Sequence, residues 1–425
     1  MFIPFLWLIV LIGSTPVILF FDGPVERGLV AAATALAIAM VGVVMRPGET
    51  GHLATLVGRW MPVAAVPALW MVLQIVPIPL PGLAHPIWTG AAAALNGPVA
   101  GTISVDPGLT LIALGRYLCA VGIGLVATAV AIDRERAQWT LFVLVAVTTV
   151  LAAMLITIGR GGPAGGADHA TANAIAALGV IVSAAATFHV AEKLEMLRDR
   201  TGSAIARAAA VLGACALAWA ICGYAVFHTS PKQILFAASC GLAVPGLIVV
   251  SRRAGIGIPI AMAVAAGGLV AAVGIAAGGA AARGDPILRF AVEDVLPAIE
   301  RMLADAGVMG SGGGTFSALL PIYGTAADIA TGAQAPTAAA TAAIEFGRPM
   351  WELLVVIAVA IAGALFGAAM QRGRDWCYPG AAAGCVVMII VESFVDVTFF
   401  ATAVMLVASV VVGLGLAQSA SRAVR

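Results

Sequence analysis

Apolar runs long enough to cross a bilayer recur along this chain and leave few choices for its fold. A hydrocarbon core ~30 Å thick needs about 20 consecutive apolar residues in a helix. Runs of that kind fall at 4–21, 28–45, 60–79, 108–131, 139–158, 172–191, 204–227, 233–250, 256–282, 350–370, 378–395 and 398–416. Inside lipid, a helix satisfies every backbone N–H and C=O within one segment, so each run predicts a helix. Composition agrees, with 62% of the 425 residues hydrophobic and 10% charged, against about a quarter charged in ordinary globular domains. The fold class is therefore all-α, a polytopic integral membrane protein with about twelve transmembrane helices. The opening MFIPFLWLIVLIGSTPVILFF has no basic start and runs on into further spans. It is expected to be a first span rather than a cleaved signal peptide.

Positive charge orients the spans. With the N-terminus inside, the inner connections hold fourteen of the 22 Lys and Arg, among them Arg46, Arg134, Lys193, Arg252, Arg372 and Arg425. The short outer connections hold Arg27, Arg160 and Lys232, and the longer 80–107 connection holds none. This asymmetry fits the positive-inside rule and predicts both termini in the cytoplasm. The net charge of +1 points to no nucleic-acid partner. None of the six cysteines forms a CxxC pair or neighbours a His, so they read as small apolar residues with no disulfide or metal framework.

The expected organisation is an N-terminal transmembrane bundle at 1–282 with about nine spans, a large outer loop at 283–349, and C-terminal spans with a short tail at 350–425. Within the loop, 286–306 carries an apolar stripe at three- and four-residue steps, which predicts a helix kinked or split by Pro297. That helix is expected on the membrane surface or the bundle rim, its charges solvated, or with Arg289 turned toward an anionic group. Then comes GVMGSGGGTFSALLPIYG at 307–324, with five glycines in its first eight residues. It lacks the Gly-Lys-Ser/Thr ending of a nucleotide loop and is placed outside, away from cytosolic nucleotides. It reads as a flexible turn whose N–H groups could form an anion-binding nest.

Five stretches, taken together and in order, carry a likeness. They are WMVLQIVPIPLPG (70–82), ISVDPGLTLIALGRYLCAVGIGLVATAVAIDRERAQ (103–138), ADAGVMGSGGGTFSALLPIY (304–323), AIEFGRP (343–349) and ESFVDVTFFATAVMLV (392–407). They resemble the O-antigen ligase and polymerase family of bacterial envelope glycan enzymes, which includes exopolysaccharide polymerases. The resemblance implies a GT-C-like membrane fold with one large periplasmic loop containing short helices. It implies a glycosyltransferase of the bacterial cytoplasmic (inner) membrane, moving or polymerising undecaprenyl-diphosphate-linked glycan on the periplasmic face. Neither a nucleotide sugar nor an obligatory metal or other cofactor is implied, and polysaccharide assembly proteins would be further partners besides membrane lipid.

The chain departs from the family pattern at several places. Pro336-Thr337 stands where a His-Asn pair is usual, nine residues before Glu345, and Val292 and Pro297 stand where arginines are common. Ser230-Pro231-Lys232 replaces a Ser-Arg-Gly, and Glu392 takes the place of a frequent His. Transfer from a polyprenyl diphosphate needs cations on the leaving group and a base or polar cage for the acceptor. The residues expected to act are Arg289, Glu345 and His169. Arg116, Arg160, Lys232 and Asp396 are expected to hold diphosphate or glycan, and no metal site is expected. Arg116 is the strongest single signal, since a cation inside a span is costly unless paired or functional. Arg160 reads equally as a snorkelling helix-end charge. Arg348, Asp168 and Glu392 are further candidates. His85 and His228 read as packing or interfacial residues, and His52 and His189 fall near the inner face. Two other classes stay open: a catalytically degenerate relative that binds lipid-linked glycan or scaffolds an assembly complex, and a secondary transporter, for which paired broken helices are missing.

Overall fold

The computed structural model describes residues 1–21, 23–77, 82–158, 166–197, 202–278, 287, 296–324 and 337–419, and among them every regular element is helical. Helices α1 (Phe2–Gly13) and α2 (Thr15–Phe20) form one span bent at Ser14. Pro16 cannot donate to the Ile12 carbonyl, and the Thr15 hydroxyl does so instead at 2.6 Å. Next come α3 (Pro24–Val44), α4 (Pro47–Ile75), the short α5 (Ile87–Leu95), α6 (Pro107–Val130), α7 (Arg134–Ile158) and α8 (Gly166–Met196). They are followed by α9 (Gly202–Thr229), α10 (Lys232–Arg253) and α11 (Ile258–Gly278). The large connection contributes α12 (Leu296–Asp305), α13 (Phe316–Tyr323) and α14 (Ala338–Phe346). The chain closes with α15 (Arg348–Gln371), α16 (Cys377–Ser393), a 3-10 turn at Thr398–Phe400 and α17 (Thr402–Ser419).

Each of the twelve predicted runs falls on one of these spans. Eleven are long and apolar enough to cross a membrane, and α16 is the shorter twelfth. Its 17 residues reach only ~26 Å, but neighbouring helices rather than lipid surround it. Small residues permit this central packing. A methyl group on Gly384 would lie 2.5 Å from the Gly241 carbonyl, and one on Gly413 would lie 2.5 Å from that of Gly124. Helices α10 and α16, and likewise α6 and α17, therefore meet backbone to backbone.

Polar side chains tie the span ends into two groups. At one end, the basic end, Arg134 pairs with Asp375 at 3.3 Å and Arg252 donates to the Gly373 carbonyl at 2.9 Å. Gln418 donates to the Ala131 carbonyl at 2.6 Å, and the Trp376 indole donates to Glu192. These are inner-side residues in the charge analysis, and they do share one end. The opposite, loop end holds a second apolar core. There Ile299, Met302 and Leu303 of α12 pack with Phe316, Leu319 and Leu320 of α13, Ile344 of α14, and Ile390 and Phe394 at the close of α16. Helix α12 therefore covers protein at the bundle rim. Pro297 stands in the first turn of the described part of α12, and the residues before Leu296, on which the expected kink or split depends, lie outside the described residues. The 80–107 connection also carries a helix, α5, which was not expected from its Pro and Gly content. All six cysteines are free; four are buried, and Cys119 and Cys240 are half-buried.

Candidate functional site

The Gly-rich turn is packed, not flexible. Gln74, inside α4 and 1% exposed, is its centre. The side-chain amide donates to the Met309 and Glu345 carbonyls, both at 2.8 Å, and its oxygen accepts from Gly313 N at 3.2 Å. Ser311 N and Gly312 N donate to the Ile344 and Glu345 carbonyls at 3.0 Å, and Val105 N donates to the Ser311 carbonyl at 2.8 Å. Trp70 adds an indole bond to the Phe346 carbonyl at 3.0 Å. This path needs glycine at two positions above all. Gly312 has φ +108° and faces the Ser104 and Thr110 hydroxyls, while Gly347 has φ +83° and abuts the Val308 carbonyl. A Cβ at either would be both strained and blocked.

The N–H groups of the turn are already engaged, and their acceptor is the protein's own carboxyl group. The Glu345 carboxylate, 6% exposed, accepts from Phe316 N at 3.1 Å and from the Gly314 N–H. It caps the N-terminal end of α13, whose Thr315 supplies no side-chain cap. Burial pushes its pKa from the ordinary 4.5 up to about 7, while the two N–H groups and the Arg116 charge draw it back down. Arg116 reaches this position from α6. Asp106 caps that helix through Gly108 N at 2.8 Å and Leu109 N at 3.1 Å. Ala113 then packs against Gly314, and Arg116 lies one turn further along the same face. Glu345, expected from the sequence to be among the residues that act, is thus already engaged by the N–H groups of Gly314 and Phe316.

The N-terminal end of α14 makes a second polar cluster. Thr337 is buried; its hydroxyl accepts from Ala340 N at 3.1 Å and donates to the Ile287 carbonyl at 3.3 Å. The residue at the departed family position is thus the N-cap of α14. Ala338 N donates to the Asp396 carbonyl at 2.9 Å, and the Asp396 carboxylate accepts from Val397 N and Thr398 N at 2.5 and 3.3 Å. Glu392 is fully buried and accepts from the Thr398 hydroxyl at 3.0 Å. Eight residue steps along α14 separate Thr337 from Glu345 by ~12 Å.

The remaining candidates divide between these places. His169 is half-buried in the first turn of α8, one turn before Asn173, which accepts from the Thr229 hydroxyl at 2.8 Å. Helix α8 also packs against the Thr398–Phe400 turn, on the Asp396 side. Lys232 and Arg348 are exposed at the starts of α10 and α15. The structure does not bring Lys232 to Arg116: α6 packs on α3, α4 and α17, whereas α10 packs on α8, α11 and α16. His228 stacks on Tyr224 with ring centroids 4.2 Å apart, and His85 accepts from Ile87 N at 3.3 Å. His189 lies at the basic end, 3.7 Å from the Cys377 sulfur, and His52 lies early in α4. Arg160, Arg289 and Pro336, and the Asp168 side chain, fall outside the described residues. Among the described residues no three His, Cys, Asp or Glu side chains are grouped to hold a metal ion.

Gln74 is the residue the sequence reading passed over. A signal was there: a single amide inside the apolar WMVLQIVP run must find partners, because an unmatched polar group in such a span is costly. No protein-family model, curated protein or solved structure matches the chain.

Proposed function

We propose that the chain is a membrane glycosyltransferase that moves or polymerises undecaprenyl-diphosphate-linked oligosaccharide, in the manner of O-antigen ligases and exopolysaccharide polymerases. In this proposal it sits in the bacterial cytoplasmic membrane with its loop end toward the periplasm and both termini in the cytoplasm. One observation carries the proposal. The stretches that bear the family likeness lie far apart in sequence, yet Gln74, Val105, Ser311 and Glu345 from four of them form one hydrogen-bonded knot. The fifth supplies Asp396, which anchors the other end of α14.

In the reaction, an acceptor hydroxyl oxygen bonds to the anomeric carbon. The bond from that carbon to the diphosphate oxygen breaks, and the electron pair leaves with the carrier diphosphate. Arg116 is the cation assigned to the leaving charge, joined by Arg289 or Arg160 where the lipid path reaches them; Lys232, on another flank of the bundle, is left out of this role. Glu345 is a positioning residue that sets the turn and Arg116. His169 and Asp396 are assigned to the acceptor side, where the hydroxyl proton must go.

The test is turnover of a short undecaprenyl-diphosphate oligosaccharide by purified protein in lipid nanodiscs. Longer products and free carrier are expected, with Arg116→Ala slower by about a hundredfold. Wild-type turnover in a correctly inserted Arg116→Ala protein would overturn the assignment. Glycan binding without turnover would instead favour a degenerate scaffold. That second reading draws on the Thr337 cap, which stands where the family's His-Asn pair is usual. Solute uptake driven by an ion gradient would replace both with a transporter.

A further inference from the structure

Lys232 stands on a different flank of the bundle from Arg116 and needs its own account. Beside it, between α8, α9 and α10, lies a cavity of about 300 Å³ lined by Val180, Trp219, Gly223, Tyr224, Leu235 and Leu242 among others. From Trp219 to the end of α9 at Thr229 is ~15 Å, half of a hydrocarbon core. The cavity therefore sits at acyl-chain depth in one leaflet. Its side is open: Trp219 is 42% and Tyr224 53% exposed, and a methyl group placed on Gly223 would meet no atom within 4 Å.

The mouth of the groove is polar and cationic. Lys232 opens the 22-residue α10 and lies one turn above Leu235 on the groove side. The N-cap of α10 is Pro231, with no side-chain cap for its first N–H groups. Ser230 is 7% exposed, and its hydroxyl has no hydrogen-bond partner among the described residues. Tyr224 and His228, stacked at 4.2 Å, form the adjoining rim. An orphaned buried hydroxyl, a lysine and a helix N-terminus together suit one phosphate, and the apolar walls below suit one hydrocarbon chain and exclude a soluble anion.

We propose that this groove is a resident site for an anionic glycerophospholipid, with one acyl chain between α9 and α10 and its phosphate on the Ser230–Lys232 corner. The site is separate from the glycan site above and does not depend on it. The experiment is native mass spectrometry of the purified full chain titrated with phosphatidylglycerol, phosphatidylcholine or undecaprenyl phosphate. Phosphatidylglycerol is expected to be retained in preference to phosphatidylcholine of the same chains. Lys232→Glu should weaken its retention at least fivefold, the effect of about one juxtamembrane charge. Gly223→Leu, which fills the groove, should remove both lipids. Equal retention of the two phospholipids, or retention unchanged in either variant, would overturn the proposal. Displacement of phosphatidylglycerol by an equimolar amount of undecaprenyl phosphate would overturn it too, giving the groove to the carrier.

Discussion

Replacing Gln74 by Leu, a side chain of similar size, tests whether the Gly-rich turn is held from α4. The substitution leaves Gly313 N and the Met309 carbonyl without their partners, while the Glu345 carbonyl keeps Gly312 N. One orphaned buried group and one part-buried one, at up to about 1–3 kcal/mol each, give a cost of about 2–6 kcal/mol at most. The loss falls on the turn, not on the spans, so the expected effect is local opening. At about 3 kcal/mol, near the middle of that range, amide protection across 311–316 falls about a hundredfold. Hydrogen exchange of the protein in nanodiscs, followed by mass spectrometry of peptides over 305–320, reads this directly. Peptides over 372–378 at the basic end should exchange as in the wild type. If 311–316 exchanges within threefold of wild type in Gln74→Leu, then Gln74 does not hold the turn and the knot described above is wrong.

Two further perturbations address the same region. Glu345 has its folded pKa raised from 4.5 to about 7, mainly by burial, so its neutral form is the one the fold favours. The stability it contributes is fully present below pH 4.5 and is lost as pH rises through about 7. The shift amounts to about 3 kcal/mol. Glu345→Gln should therefore flatten the fall in protection at 311–316 between pH 5 and 8, and a slope equal to wild type would count against the assignment. Thr337→Ala removes the α14 cap, worth about 1 kcal/mol. Exchange at Ala338–Thr341 should speed up about fivefold with the Gly-rich turn unaffected, and an unchanged rate would mean the cap is not formed.

The spans were legible because lipid imposes a length and a polarity that any apolar run either meets or fails. The α12 stripe was legible for a related reason: Ile299, Met302 and Leu303 recur at helical spacing. What the stripe packs against was not legible, since its partners on α13, α14 and α16 are distant in sequence. The site was legible only in pieces. Arg116 announced itself by its charge inside a span, and Glu345 by the Glu-Phe-Gly that precedes one. The surroundings of Glu345 depend on contacts between residues hundreds of positions apart, such as Gln74 with Glu345, and no local pattern encodes those. Pro297 shows the limit at close range. A proline is compatible with a first turn as well as with a kink, and the local sequence does not choose between them.

The occupied nest changes what the glycines are for. A diphosphate oxygen entering the turn would compete with the Glu345 carboxylate for Phe316 N and Gly314 N. The exchange replaces one acceptor by another at the same donors, so the N–H groups already have a partner to lose. The displaced carboxyl group would also remain buried, in the field of the Arg116 charge. In the proposed reaction Arg116 would then be spent on Glu345 at the moment a leaving diphosphate needed it. Phosphate binding in the turn and charge stabilisation by Arg116 therefore oppose each other. The arrangement that keeps Arg116 available leaves Glu345 where it is, capping α13, with the glycines serving to bring α4, α6, α13 and α14 close enough to fix that arginine in place.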